Sequence, residues 1–202
     1  SVFVAWLEPD SPLEALHARL GWEQQLGDGV RWSLEGYYNR MWDIPVPIWT
    51  ALARFNPRLG RANGTSYGAD LRLEYRTPRF YGYLGYGYGW TIYEATQAGF
   101  ANWYGEPVQS YHPPHDRRHQ LNGVLSWDLA GFQLSARWQL GSGLPATRPI
   151  GFDDAFRFST SRQDVRTDPG TTRLVLERPF TGRLPAVHRL DVSVERSFDT
   201  SL

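Results

Sequence analysis

Apolar and polar residues alternate one by one along much of the chain. From Ser66 to Arg76, Tyr67, Ala69, Leu71, Leu73 and Tyr75 interleave with Ser66, Gly68, Asp70, Arg72, Glu74 and Arg76. A helix would scatter these side chains around its circumference, whereas a strand sends successive side chains to opposite faces. The same sorting sets Leu16, Ala18, Leu20 and Trp22 against His17, Arg19, Gly21 and Glu23, and Trp32, Leu34, Gly36 and Tyr38 against Arg31, Ser33, Glu35 and Asn39. It recurs with Leu121, Leu125 and Trp127 (Val124 is an apolar intruder on the polar side), with Phe132, Leu134, Ala136, Trp138 and Leu140, and with Leu190, Val192 and Val194. Between Phe80 and Ile92 the alternation is with Gly85, Gly87, Gly89 and Thr91 instead of charges. The pattern predicts seven amphipathic strands, near 14–26, 30–42, 65–77, 79–92, 118–129, 131–141 and 187–198, and no helix.

The connections alternate in length. Short turns suited to hairpins fall at Gly27-Asp28-Gly29, Thr77-Pro78-Arg79 and Ala130-Gly131. The other three connections, 41–65, 93–117 and 142–186, are long and rich in Pro, Gly, Arg and aromatics. Up-and-down order then puts the short turns at one end of an antiparallel sheet and the long connections at the other, the asymmetry of transmembrane β-barrels with extracellular loops.

Aromatic placement decides between that reading and a soluble barrel or sandwich. Trp22, Trp32, Tyr75, Phe80, Trp127 and Phe132 lie on the apolar face close to the short turns. Tyr38, Tyr67, Trp90 and Trp138 lie on the same face towards the other end. Two lines of amphipathic rings around an aliphatic middle form the aromatic girdle of a lipid-facing sheet. Leu20, Leu34, Leu71, Leu84, Leu125, Leu134 and Val192 are then expected near the bilayer middle. Gln24, Arg40, His119 and Arg196 interrupt the apolar face only near strand ends, where long side chains can snorkel. The opposite face carries Arg19, Glu23, Arg31, Glu35, Asp70, Arg72, Glu74, Arg76, Asp128 and Arg137. Such a lining suits a wide barrel holding water or a polar plug.

Composition agrees and excludes other classes. Lys+Arg and Asp+Glu balance at 21 each, against the basic excess of a nucleic-acid binder. Aromatics at 15%, with nine Trp, exclude a solvated disordered chain. The absence of Cys rules out a disulfide framework, a thiolate nucleophile and a Cys metal site. No apolar run approaches the roughly 18 residues of a spanning helix. No basic, apolar leader opens the sequence, so any export signal is expected to lie outside it.

Five stretches carry a family resemblance. They are Leu20-Gly21-Trp22-Glu23-Gln24-Gln25-Leu26-Gly27-Asp28-Gly29 with Leu34-Glu35-Gly36-Tyr37-Tyr38, Gly64-Thr65-Ser66-Tyr67-Gly68-Ala69-Asp70-Leu71, Asp116-Arg117-Arg118-His119-Gln120-Leu121-Asn122, Gly141-Ser142-Gly143-Leu144-Pro145, and His188-Arg189-Leu190-Asp191-Val192. In this order they resemble the later part of the barrel of TonB-dependent outer-membrane receptors. The resemblance implies energy-coupled import, across a bacterial outer membrane, of a bulky nutrient such as a siderophore, a cobalamin-like macrocycle or a glycan. Such receptors are plugged barrels of about 22 strands, and spanning strands need roughly 9–11 residues each. The chain is therefore expected to be a fragment: 1–13 the end of a preceding loop or strand, 14–202 a partial barrel. Its implied partners are outer-membrane lipid, barrel strands and a plug outside the chain, and a TonB-type coupling protein reached through the missing N-terminal part. The first and seventh strands are expected to pair with strands outside the chain and not with each other. An alternative of another class is a structural or adhesive outer-membrane barrel segment that pairs with another chain.

Candidate chemistry is sparse. His112, His115 and Asp116 could bind a transition metal, but the tract is better explained as a Pro-stiffened lead into the fifth strand, so no metal site is expected. Trp42, Trp49, Phe100, Trp103, Tyr104 and Tyr111 lie in the long connections, where stacked rings could hold an aromatic, macrocyclic or sugar ligand or could pack loop on loop. No G-x-S-x-G or H-E-x-x-H motif occurs, so no catalytic set and no cofactor are expected.

Overall fold

The computed structural model describes residues 12–49, 58–155 and 171–198. Its strands are β1 (Glu14–Leu26), β2 (Val30–Pro47), β3 (Leu59–Arg76), β4 (Phe80–Thr96), β5 (Val108–Tyr111), β6 (His119–Leu129), β7 (Phe132–Gly141), β8 (Pro145–Ala146), β9 (Pro149–Ala155), β10 (Thr171–Leu176), β11 (Gly182–Arg183) and β12 (Val187–Arg196). One helix, α1 (Ala98–Tyr104), precedes β5. The main sheet is antiparallel in the order β1-β2-β3-β4-β6-β7-β12, with β5 continuing the pairing along β4. Its seven long strands coincide with the seven alternating segments. β1 and β12 are its two edges and do not pair with each other.

The register carries the alternation across the sheet. One row joins Leu26, Val30, Tyr75, Gly82, Leu125, Ala136 and Val192. The adjacent row, on the other face, joins Gln25, Arg31, Glu74, Tyr83, Val124, Arg137 and Asp191. A slip of one residue anywhere would exchange the faces, so the pattern and the register enforce each other. The short turns use positive φ at Gly27, Gly29, Ala130 and Gly131. Gly29 also lies so close to Arg76 that a Cβ there would collide with the Arg76 carbonyl oxygen. The Arg76 amide donates to the Gly29 carbonyl at 2.8 Å, tying the first turn to the second.

The long connections are largely strand, and a helix is present where alternation predicts none. β2 and β3 run on past Met41 and Gly64, through a bulge between Met41 and Ile44, to pair Pro47 with Leu59. Asp43, at φ 56, turns the backbone there, which breaks the period-two pattern. In the third connection, Pro145–Arg183, Ala146–Gly182, Pro149–Leu176 and Phe152–Leu174 are nested antiparallel pairs. They continue the Gly141–Val187 pairing of β7 with β12. Over its described residues, 142–155 and 171–186, the connection is thus a two-stranded antiparallel arm. The helix is seven residues long, too short to show a helical period, and stops at Gly105 in the left-handed conformation. Nothing among the described residues is a helix long and apolar enough to cross a membrane.

Among the described residues a buried core exists only at the long-connection end. It consists of Val46, Ala62, Tyr93, Ala95 and Phe100, with Met41, Ile44, Trp49, Tyr104 and Tyr111 packed around it. Among the described residues no such core covers either face of the rest of the sheet: Leu20 is 83% exposed at its edge and Leu71 still 39% exposed in its middle.

Candidate functional site

The ten girdle aromatics all fall on one face, by ladder parity. Tyr38, Tyr67 and Trp90 are neighbours in a single row, and the Tyr67 and Trp90 rings stack at 6.3 Å. Near the short turns the aromatics climb obliquely across the rows. Trp32 pairs with Gln24, two residues beyond Trp22, and Tyr75 pairs with Val30, two residues before Trp32 and one row pair further towards the turn. Phe80 lies two residues past the Gly82 that faces Tyr75, Trp127 faces Phe80, and Phe132 faces Leu129, two residues beyond Trp127. Trp138 shares a row with Gly123 and Leu84, level with Trp32, six residues closer to the short turns than the single row of Tyr38, Tyr67 and Trp90. Leu20, Leu34, Leu71, Leu84, Leu125, Leu134 and Val192 lie on this face too.

On the opposite face the charges are only partly paired. Arg19 approaches Glu35 at 3.7 Å, Arg31 approaches Glu23 at 3.6 Å, and Arg189 clasps Asp191 at 2.9 Å. Asp70, Arg72, Glu74, Asp128 and Arg137 have no ion pair among the described residues. Gly85 and Gly87 floor a hollow of about 210 Å³ bordered by Asp70, Arg72, Tyr83, Gln120 and Asn122.

The long-connection end holds the most organised chemistry. β5 and β6 both run antiparallel to β4, but 112–118 loops out between them and interrupts the ladder. The gap leaves the Thr91 amide and carbonyl without strand partners, and side chains replace them. Thr91 N–H donates to Asp116 Oδ1 at 2.8 Å, and His112 Nδ1 donates to the Thr91 carbonyl at 2.6 Å. Since that carbonyl only accepts and a guanidinium only donates, Arg118 Nη2 must donate to His112 Nε2 at 3.0 Å. His112 is therefore the neutral tautomer protonated at Nδ1. Asp116 is 2% exposed and also accepts from Arg118 Nε at 2.9 Å and from Arg183 Nη2. Burial pushes its carboxyl up, but the Thr91 amide and the Arg118 and Arg183 guanidiniums outweigh it and hold it below the usual carboxylate range. Arg118 completes the cluster by lying 3.3 Å over the Trp90 ring.

This arrangement occupies the metal candidates otherwise. His112 and Asp116 spend their ring nitrogens and oxygens on the backbone and on arginines, and His115 packs edge-on to Tyr93 at 5.8 Å. Among the described residues no group of three or more such side chains is placed to hold a metal.

The loop aromatics are brought together, mostly with one another. Phe100 is 1% exposed in the small core. Trp49 Nε1 donates to the Tyr104 hydroxyl at 2.7 Å, which donates on to the Glu177 carbonyl at 3.1 Å. Tyr111 lies between Tyr93 and Phe180, at 6.2 and 5.6 Å, and burial, followed by Tyr93, pushes its hydroxyl up to about 12. Trp42 is half-buried in β2 opposite Glu14. Trp103, 47% exposed on α1, is the one of the six with a broadly open ring. No signal in the sequence marked Gln97, which is buried and ties the first connection to the second through Trp49 N–H at 2.7 Å and the Pro47 carbonyl at 3.2 Å.

Known families do not supply the answer. No protein-family model matches the chain, and no curated protein matches it. A functional reading has to come from the two faces, the edges and the long-connection end.

Proposed function

We propose that the chain is a stretch of the wall of a bacterial outer-membrane β-barrel, of the kind found in TonB-dependent receptors, acting in energy-coupled import of a bulky nutrient. Its apolar face meets lipid, its charged face meets the lumen, and the long connections project outside the cell. The observation that carries this reading is the slope of the aromatic line across the ladder. From Trp22 to Phe132 the line advances roughly eight residues over five strand steps. At about 3.3 Å per residue and 4.8 Å per strand this is a slope near 45°, close to the ~35–45° tilt of barrel strands. A line that slopes by the tilt angle runs level around the barrel, as a membrane interface requires. A packed protein core sets no such level.

Three further observations support it. Along β3, the eight residue steps from Tyr67 to Tyr75 cover about 26 Å, or about 20 Å of height after tilting, near the ~25 Å apolar band of such barrels. Contiguous exposed apolar surface of this extent is rare on soluble monomers. Unpaired edge groups at β1 and β12 would each cost several kcal/mol in hydrocarbon, so both edges call for partner strands from outside the described residues. In this reading the plug and the TonB-type coupling protein also lie outside this chain. The same edges favour a second reading, a structural or adhesive barrel segment completed by another chain. Loss of nutrient uptake on deleting the segment, with surface assembly intact, selects import over it.

Because the chain has no Cys, single cysteines can be placed without removing any. In intact outer membranes, cysteines at Leu71, Leu84 and Leu125 should resist a water-soluble maleimide while those at Arg72 and Asn122 react. Equal reaction on both faces would overturn the membrane assignment.

A further inference from the structure

The arm 142–186 leaves the sheet through Ser142-Gly143-Leu144 on one strand and Leu184-Pro185-Ala186 on the other. Its base is narrow. β8 and β11 pair over two residues each, supplemented by Leu184 N–H donating to the Leu144 carbonyl at 2.9 Å. Farther out, its described residues meet the rest of the long-connection end through Phe180 on Tyr111, the Tyr104 hydroxyl on the Glu177 carbonyl, and Arg178 at 5.5 Å over Tyr104. Each joins a single pair of residues, partly buried at Tyr104, Tyr111 and Phe180 and exposed at Arg178. At the first strand of the base, Ser142 is fixed to β6: its amide donates to the His119 carbonyl at 2.8 Å and its hydroxyl accepts from the His119 amide at 3.0 Å. At the second strand the tie is Arg183. Arg183 reaches the Asp116 carboxylate through Nη2, and its Nη1 donates at 3.0 Å both to the Asp116 carbonyl and to the Gly143 carbonyl.

We propose that Arg183 and Asp116 form a releasable latch that sets the angle at which the 142–186 arm leaves the sheet. The asymmetry of the cluster makes release feasible. Stripping a buried charge of all its partners is what makes breaking an ion pair costly. When Arg183 withdraws, Asp116 keeps the Thr91 amide and the Arg118 guanidinium, so no bare carboxylate is left inside. The Arg183 side chain is already 34% exposed, against 1% for Asp116, and it withdraws into water. Arg118, 18% exposed and pinned by Trp90 and His112, stays. The inner half of the cluster repairs the gap in the β4 ladder, and the outer half holds the arm. The proposal concerns the long-connection end alone and holds whatever covers the apolar face.

Spin labels on cysteines replacing Glu106 and Thr172, both exposed, report the distance from the α1–β5 junction to the arm. In the full chain in detergent micelles, double electron–electron resonance should give one narrow distance distribution. Arg183→Gln should add a second, longer population of at least a tenth of the molecules. Arg183→Lys, which keeps the charge but not the forked donors, should add a smaller one. Arg148→Gln, which removes the exposed Arg148–Glu177 pair within the arm, should leave the distribution unchanged. Hydrogen exchange at residues 144–146 and 182–184 should quicken at least tenfold in Arg183→Gln, with β1–β4 and β6–β7 unaltered. A single parental distribution in both Arg183 variants would refute the latch. So would equal broadening in Arg148→Gln, or exchange quickening throughout the sheet. If Arg183→Gln does not fold, the Arg183→Lys comparison carries the same decision.

Discussion

Leu71 lies four residues from Tyr67 and four from Tyr75 on β3, midway between the two aromatic lines, in the row that joins Trp22, Leu34, Tyr86 and Leu121. Four residues are about 13 Å of strand, or about 10 Å of depth at a 40° tilt. A guanidinium at this position is as far from either interface as the sheet allows. Arginine at the midplane of an outer-membrane barrel costs about 2–4 kcal/mol, falling towards zero at the interfaces. Leu71→Arg is therefore expected to lose that amount, and Leu73→Arg, two residues from Tyr75, distinctly less. Arg72 is the control. It sits one residue away, faces the other side and makes no ion pair among the described residues, so Arg72→Leu should change stability by no more than about 0.5 kcal/mol. Equilibrium denaturant unfolding in phospholipid vesicles, followed by tryptophan fluorescence, measures all three. Equal penalties at 71 and 72, or no gradient from 71 to 73, would refute the assignment of the apolar face to lipid.

Gly68→Ala should destabilise by about 1–3 kcal/mol, because its Cβ would collide with the Tyr88 carbonyl oxygen and the Tyr37 hydroxyl. Gly36→Ala, whose nearest neighbour is 3.9 Å away, should be far milder, and denaturant unfolding of the pair decides it. The Asp116 carboxyl is held below the ordinary Asp value of 3.8, so its contribution to stability is complete above about pH 4 and lost as the pH falls through its lowered value. Hydrogen exchange of the Thr91 amide should accelerate across that acid range in the parent, whereas Asp116→Asn should show fast exchange already at neutral pH and no acid step.

The seven main strands were legible because each buries or exposes a whole face, and alternation reports faces directly. The strand extensions were not, for local reasons. Asp43 at positive φ and the bulge beside it shift the phase of β2, and Pro45 and Pro47 then remove ladder donors. The arm is broken into pieces as short as two residues, below the length at which any period shows. The aromatics were legible as two groups, but the slope of the line near the short turns depends on register, which single strands do not carry. Asp116 reads in the sequence as one residue of a His- and Arg-rich tract. Beside Arg118 in that tract, its partners are Thr91, earlier in the chain, and Arg183, which lies 67 residues later, and only the fold brings these two to it.

The nesting of the arm also bears on how the sheet comes to exist. Every other neighbour in the main sheet is reached through a turn or a single connection, whereas β7 and β12 are separated by the whole of 142–186. Closing so long a loop in one step carries an entropic cost that delays non-local pairing. The pairs Ala155–Thr171, Phe152–Leu174, Ala146–Gly182 and Gly141–Val187 divide it into short steps, each bringing the next within reach. Zippering from the outer end inward would deliver β12 to β7 already in register, so that a misaligned edge strand could be rejected before the lower half of the hairpin had formed.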